Sequence, residues 1–478
     1  MKLFTFLSLL LLSCSTPDQA EDELVVGLDS RIRSIDPRYA TDANSQYIES
    51  LIYCSLFEFD RQAQIRGQVV SRYHWIDEKS LSLELKAGFQ FHNGEALTAA
   101  HIKDVFDNFL ESNVYPRKFA FHNLQSIEII DKRNIVFHLK KSEPSFLQNL
   151  VFGLFLEKED QLIGCGHYQI DTKNSHELIL SSNNPNLQFQ KLKFKFVKDV
   201  RTRFSKLQRG EIDLIQNALN YDLVHILDQA ENSLYISSSV GLNTAYIGLN
   251  FRDPFIASAK VRQALSLAIS PQKIIDKMFY GHAIAATGLL LPTDPYHEES
   301  LESHVYDPSL AKKLLTGLDI PELVLAVPND PFRVQVAKAL AEQWQQVGVN
   351  VKVQSMDWGK FKNDVDHGVA QMWLLKWTGF KDPDILRYLF SSKSIPPDGA
   401  NRGYYQNKEL DQLLDLAAST LDSEERKKLY GKVQLILSDD LPYLFLWHEH
   451  NVAIKNNRLK DYQIYLDGRF DGLLEYRQ

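Results

Sequence analysis

The chain has 478 residues, of which 44% are hydrophobic and 24% charged, and its formal net charge is −8. That length exceeds a single core and predicts two or three lobes of ordinary globular composition. The negative balance and the scatter of lysines and arginines exclude the basic footprint of a nucleic-acid binder.

The chain opens with a targeting pattern. Lys2 gives a positive start, residues 3–12 are an apolar run, and Leu11-Leu12-Ser13-Cys14 follows. The run falls short of the roughly 20 residues that cross a bilayer and reads as a cleaved secretory signal. A small residue before a terminal cysteine is similar to the lipobox of bacterial lipoproteins. Residues 1–14 are therefore expected to be a signal segment, with Cys14 the lipidated first residue of the mature chain. Residues 15–23 are polar, a short tether. No later run is long enough to span, so the body is expected to be held at the periplasmic face or cell surface by lipid alone. Cys54 and Cys165 remain, and export permits a disulfide between them. Two free buried thiols are the preferred expectation, because one bridge adds little to so large a core.

Leu24-Val25-Val26-Gly27 reads as a first strand, and residues 45–59 as a helix carrying Ile48, Leu51, Ile52, Leu56 and Phe57 on one side. Leu81, Leu83 and Leu85 alternate with polar residues before an Asn93-Gly94 turn. Thr98 caps a helix striped by Ile102, Val105, Phe106, Phe109 and Leu110. Ile127 to Leu139 forms a hairpin around residues 131–134. Lys191, Lys193 and Lys195 alternate with Leu192, Phe194 and Phe196, a strand with one wet face. From about residue 244 strands alternate with well-marked helices. Ser270-Pro271 and Asp307-Pro308 are start signals, and the first of these helices is expected to close at Gly281. Leu323–Val327, Val334–Val347 and Val349–Val353 form a β-α-β unit, which implies a locally parallel sheet. Asp422-x-x-Glu425 opens a long helix that Pro442 ends.

Catalytic patterns are missing. There is no G-x-S-x-G, and Gly164-Cys165-Gly166 with His167 fits a glycine turn entering a strand better than a thiol nucleophile. H-E-x-x-H, C-x-x-C and nucleotide cradles are absent, and His448-Glu449-His450 supplies only two local imidazoles. Neither an enzyme nor a resident metal or cofactor is expected.

The ordered stations Val26-Gly27-Leu28-Asp29 with Ser34-Ile35-Asp36-Pro37, then Leu85-Lys86-Ala87-Gly88, Phe91-His92-Asn93-Gly94 and Leu97-Thr98-Ala99 carry a resemblance. It continues through Gly164-Cys165-Gly166-His167-Tyr168, Leu207 to Asp213, Tyr246 to Asn250, Val261 to Leu265, Tyr306-Asp307-Pro308, Trp377 to Asp384 and Leu441-Pro442-Tyr443. Over almost the whole mature chain this resembles the extracellular solute-binding proteins of family 5, which serve peptide and nickel ABC importers.

The resemblance implies an α/β fold: a two-lobed periplasmic-binding-protein clamshell (type II, cluster C) with an inserted third α+β subdomain. Carried over, lobe I comprises 22–38, 164–243 and 452–478, the insertion 39–163, and lobe II 244–451. It further implies a monomer that captures a small solute, a peptide or peptide-like compound, and delivers it to ABC permease subunits. A nickel chelate, opine or sugar derivative is the alternative solute, and an exported hydrolase using the Cys165 region is a remote one. The ligand-facing residues it implies are the stretch from Arg31 through Ile32 to Ser34, and Trp377, Gly379 and Phe380 in the strand and turn that would pair with an extended peptide. Asp382, Arg402 as a fork for an anion, Tyr404 and Asn250 complete the expected set. One departure stands out: the peptide-binding pattern W-x-x-D-Y-P-D-P becomes Trp377-Thr378-Gly379-Phe380-Lys381-Asp382-Pro383. Phe380 takes the place of the carboxylate that pairs with a peptide ammonium, so either Asp382 replaces it or the ligand has no free amino terminus there.

Overall fold

Alternating apolar and polar residues build the first lobe's strands. In Lys191–Phe196, Leu192 and Phe194 are fully buried while the lysines between them are half-buried. This strand lies parallel to Glu23–Leu28, which in turn lies parallel to Leu214–Gln216. The computed structural model describes residues 20–476 apart from 113, 160, 231 and 232; the signal-like stretch and Cys14 lie outside the described residues.

Among the described residues one eleven-stranded sheet runs through the molecule. At its centre two long antiparallel strands, Tyr235–Leu249 and Tyr443–Lys455, pair from Tyr235↔Lys455 to Gly248↔Tyr443. The Lys455 end carries Leu214–Gln216 and the first-lobe strands beyond it. The other end carries Met372–Trp377, then Leu323–Pro328 and Val351–Met356. These two strands are thus the hinge between the lobes. Apolar clusters lie apart on the two sides of these strands: Leu24, Val26, Leu192 and Phe194 belong to one, Leu325, Val327, Trp344 and Leu374 to another.

The segment between residues 39 and 163 holds a four-stranded antiparallel sheet, Val70–Asp77, Ser80–Leu85, Asn134–Leu139 and Leu124–Ile129 in spatial order. Helix Ala99–Glu111 covers it, and Phe106, Phe109, Phe121, Phe137 and Phe152 make edge-on contacts beneath. This aromatic core is continuous with the first lobe's.

The helix start signals work as the sequence suggests: the carboxylates of Asp307 and Asp422 accept from the backbone N–H groups of Leu310 and Glu425. The unit Leu323–Pro328, Pro331–Gln346, Val351–Met356 is the expected parallel β-α-β. Two expectations are corrected. The helix over 45–59 is shorter, Ala43–Ile52, because Tyr53 turns extended and Phe57–Phe59 pairs with Ile65–Gly67 as a hairpin. Cys54 and Cys165 are not free thiols: a disulfide joins them, with Cα atoms 5.1 Å apart. The extended backbone after Ile52 brings this about, since its carbonyl accepts from Gly166 N–H at 2.8 Å and draws the two chain segments together.

Candidate functional site

Two crevices open between the lobes. The first, about 490 Å³, lies against the hinge strands at Asn243, Ala245, Trp447 and Glu449–Val452. Its first-lobe wall is Leu28–Ser30, Gln216–Leu219 and the helix start Asp42–Asn44; its second-lobe wall is Asp330, Phe332, Arg333 and Leu374–Lys376. The second, about 790 Å³, separates Glu49, Tyr53, Arg117 and Gln148 from Gly379–Asp382, Asp384 and Arg387. A partition divides them: Tyr47 and Phe470 face the first crevice, Ser50 and Arg469 the second. Both volumes fall in the roughly 300–1,000 Å³ range of small-molecule sites.

The first crevice is lined by amides and by one open strand edge. Met372–Trp377 pairs along its whole length with the hinge strand, but on its other side Leu323–Pro328 reaches only Met372 and Trp373. From Leu374 onward the outer backbone edge has no strand partner among the described residues, and Leu374, Leu375 and Lys376 line the crevice there. Facing it, Asn217 adopts φ 55°, its side-chain Oδ1 accepting from Val452 N–H at 2.9 Å and its side-chain amide donating to Asn451 Oδ1 at 2.9 Å. The Asn44 amide donates to Ser30 Oγ at 2.9 Å. Lys376 Nζ meets Glu449 Oε2 at 2.6 Å, so that pair is internally neutralised, whereas Arg333 enters no ion pair among the described residues. His450 shares the Ser238 hydroxyl with His282 at 2.8 and 2.9 Å; burial, and secondarily the neighbouring His282, hold His450 below the ordinary imidazole range.

The second crevice is walled by charges that answer one another. Arg426 grips Asp382 with a two-pronged fork, Nη2–Oδ1 2.7 Å and Nη1–Oδ2 3.0 Å. Arg117 meets Glu49 at 2.9 Å, where burial pushes the carboxyl up and the guanidinium and the Gly153 N–H oppose it. Lys381 meets Asp467 at 2.6 Å.

The residues expected from sequence are divided by the fold. Gly379, Phe380 and Asp382 come together on the second crevice. Trp377 lies behind them, stacked nearly parallel to Tyr246 at 5.9 Å and edge-on to Phe380 at 5.6 Å. Arg402 sits over the Trp377 ring at 5.1 Å and donates from Nε to Asp366 at 2.7 Å. Tyr404 donates to the Asp366 carbonyl at 2.8 Å, and buried Asn250 donates to the Gly368 and Ala370 carbonyls at 2.9 and 3.0 Å. These three brace the turn around 366–370 and line neither crevice. Ile32 is in the core, and Ser34 accepts from Asp36 N–H at 3.1 Å; both also lie outside the crevice walls. Sequence reasoning missed Asn217, Arg333 and Glu449. Asn217 follows the Gly210 to Asp213 station by four residues, which was a usable signal; Arg333 and Glu449 carry none that distinguishes them from surface charges.

Among the described residues no group of three His, Cys, Asp or Glu side chains is arranged to hold a metal, and no helix is long and apolar enough to cross a membrane. A family model described as bacterial extracellular solute-binding proteins, family 5 Middle, matches residues 64–397. The glutathione-binding protein GsiB of Salmonella typhimurium is 26% identical over 486 residues, covering 95% of this chain and 94% of its own length. The ABC transporter substrate binding protein CtaP of Listeria monocytogenes superimposes with a TM-score of 0.83 at 23% identity, over 94% of this chain and 97% of its own. The oligopeptide-binding protein AppA of Bacillus subtilis, solved with a nonapeptide, gives 0.74 at 21%, over 94% and 98%. With a two-lobed fold and a family match over most of its length, the chain belongs to the bacterial extracellular solute-binding proteins of family 5.

Proposed function

We propose that this protein captures a short peptide or peptide-like solute in the crevice against the hinge strands and presents it, unaltered, to an ABC permease. The observation that carries the proposal is the edge of Met372–Trp377 from Leu374 onward, which has no strand partner among the described residues and lies beside that crevice. A strand edge offers alternating N–H and C=O groups, which an extended peptide satisfies as an added strand. The amides of Asn44, Asn217 and Asn243 suit further peptide groups, and Arg333 suits a terminal carboxylate. A solute touching both walls gains contacts that exist only when the lobes are together, which is how binding drives closure. A relative that binds glutathione, a tripeptide-like compound, is consistent with this choice.

In the same proposal residues 22–38, 164–243 and 452–478 move as lobe I with the insertion 39–163, and 244–451 as lobe II. Gly379 and Phe380 form the rim next to the open edge, Trp377 and Asp382 hold that rim in place, and Arg402, Tyr404 and Asn250 brace the turn around 366–370. Cys14 carries the lipid that keeps the monomeric body at the membrane. Calorimetric titration with tri- and tetrapeptides, glutathione, nickel–histidine chelates and free sugars tests the solute class. Saturable one-to-one binding of peptides is expected, weakened more than about tenfold by Arg333→Ala, the loss of one charge-assisted contact. Binding of a chelate or sugar alone contradicts the peptide assignment.

A further inference from the structure

Lys381 belongs to the second lobe but ends in the first. Its backbone is fixed by its neighbour Asp382, which Arg426 holds from the helix Ser423–Asp440. The side chain then spans the second crevice toward the first lobe. Its Nζ lies 2.6 Å from Asp467 Oδ2, beyond the end of the second hinge strand, and 3.8 Å above the Phe59 ring, in the 39–163 segment. From that segment Gln148 also reaches over, donating to the Lys381 carbonyl at 2.8 Å and to Asp382 Oδ2 at 3.1 Å. Asp467 is positioned independently by Arg469, whose Nε donates to it at 2.7 Å and whose Nη1 meets Asp471 at 2.8 Å. The lysine and aspartate side chains are only 15% and 6% exposed.

A shielded carboxylate beside an aromatic face is a receptor for a primary ammonium, combining a charge-assisted hydrogen bond with a cation–π contact. Here the alternating series Lys381, Asp467, Arg469, Asp471 balances its charges only when an ammonium is present. We infer that Asp467 and Phe59 form an ammonium socket that the protein fills with its own Lys381, an intramolecular key that draws the lobes together and keeps a solute's amino group out of that socket. Opening the lobes must pull Lys381 from Asp467, so the key biases the equilibrium toward closure whatever the solute is. It also makes Lys381 a specificity determinant, because a solute is then chosen by groups other than a cation at this position. The inference rests on hinged closure and not on the peptide assignment.

The test compares full-length wild type, Lys381→Ala, and Lys381→Ala/Asp467→Asn by small-angle X-ray scattering, each freed of solute by unfolding and refolding. The open-to-closed ratio is expected to rise by about tenfold or more in Lys381→Ala, as loss of one differential contact implies. Millimolar propylammonium, which replaces the deleted atoms, should restore the compact form of Lys381→Ala, leave wild type unchanged and fail on the double variant. If Lys381→Ala does not fold, Lys381→Met, which keeps the apolar stem over Phe59, is read in the same way without the amine arm. Equal open populations in wild type and the folded variant, or an amine that restores the double variant as well, overturn the inference. The outcome is independent of peptide binding, which is measured by titration at the other crevice.

Discussion

Replacing Arg426 by methionine isolates the fork that mounts the 380–384 rim. The Arg426 side chain is 4% exposed and Asp382 13%, so the pair is shielded from water. Arg426 further donates to the Ala417 carbonyl at 3.3 Å and lies against Tyr296 and Tyr430 at 5.2 and 5.1 Å. Methionine fills much of the same space but leaves the Asp382 carboxylate with the Gln148 amide and the Asp384 N–H in place of its counter-charge. Breaking a buried pair from one side costs about 3–5 kcal/mol, because the surviving charge loses its counter-charge. Removing both charges costs less, since no uncompensated ion remains. Equilibrium urea unfolding of Arg426→Met, Asp382→Asn and the double variant measures this, with the double loss expected well below the sum of the single losses. A single-variant loss below about 1 kcal/mol, the value of an exposed pair, would refute the claim that this fork is shielded and structural. Strict additivity would show that the two side chains do not act as a pair.

Three other outcomes follow from the packing. Cys54→Ser/Cys165→Ser should lose about 2–5 kcal/mol, the range for closing a loop this long, and melt lower than the oxidised protein; the bridge spans 111 residues. Gly248→Ala would place its Cβ 2.1 Å from the buried Trp373 ring in the hinge strand. It should cost about 1–3 kcal/mol by overpacking, with partial relief from Trp373→Phe in thermal unfolding. Burial, and secondarily His297, lowers the His448 imidazole to about 4, and its Nδ1 lies 2.9 Å from Thr244 Oγ1. The unfolded chain binds that proton below about pH 6.5, so stability should fall as pH drops from 6.5 to 4 and level off below. His448→Gln should flatten that slope in urea unfolding at stepped pH; an unchanged slope contradicts the neutral buried imidazole.

The elements legible in the sequence are those whose local signals agree with their tertiary setting. Leu192 and Phe194 alternate on a strand buried on that face, and Asp307 and Asp422 cap helices by accepting from N–H groups three residues on, a contact local to the sequence. Where tertiary contacts override the local pattern, legibility ends. The apolar stripe through Leu56 and Phe57 looks helical, yet the hairpin with Ile65–Gly67 and the bridge at Cys54 hold it extended. The site shows the same division. Likeness to a family implies a ligand-facing role for the stretch ending at Trp377, and the structure sets Leu374, Leu375 and Lys376 on the first crevice with Trp377 itself outside both walls. Arg402 has a side chain suited to an anion, but whether it faces a crevice or Asp366 depends on a segment 36 residues away. The Lys381–Asp467 pair joins residues 86 apart across two bodies, which no local pattern records.

In the proposed function the lobes enclose a guest and release it chemically unchanged. Denaturing the purified protein and identifying what is set free by mass spectrometry tests this most directly, provided the same compound is reloaded, incubated and recovered. One short peptide-like molecule per chain, recovered intact after incubation, is the expected result. Conversion of that molecule to a product, or a chain that neither carries nor takes up any small solute, would contradict it.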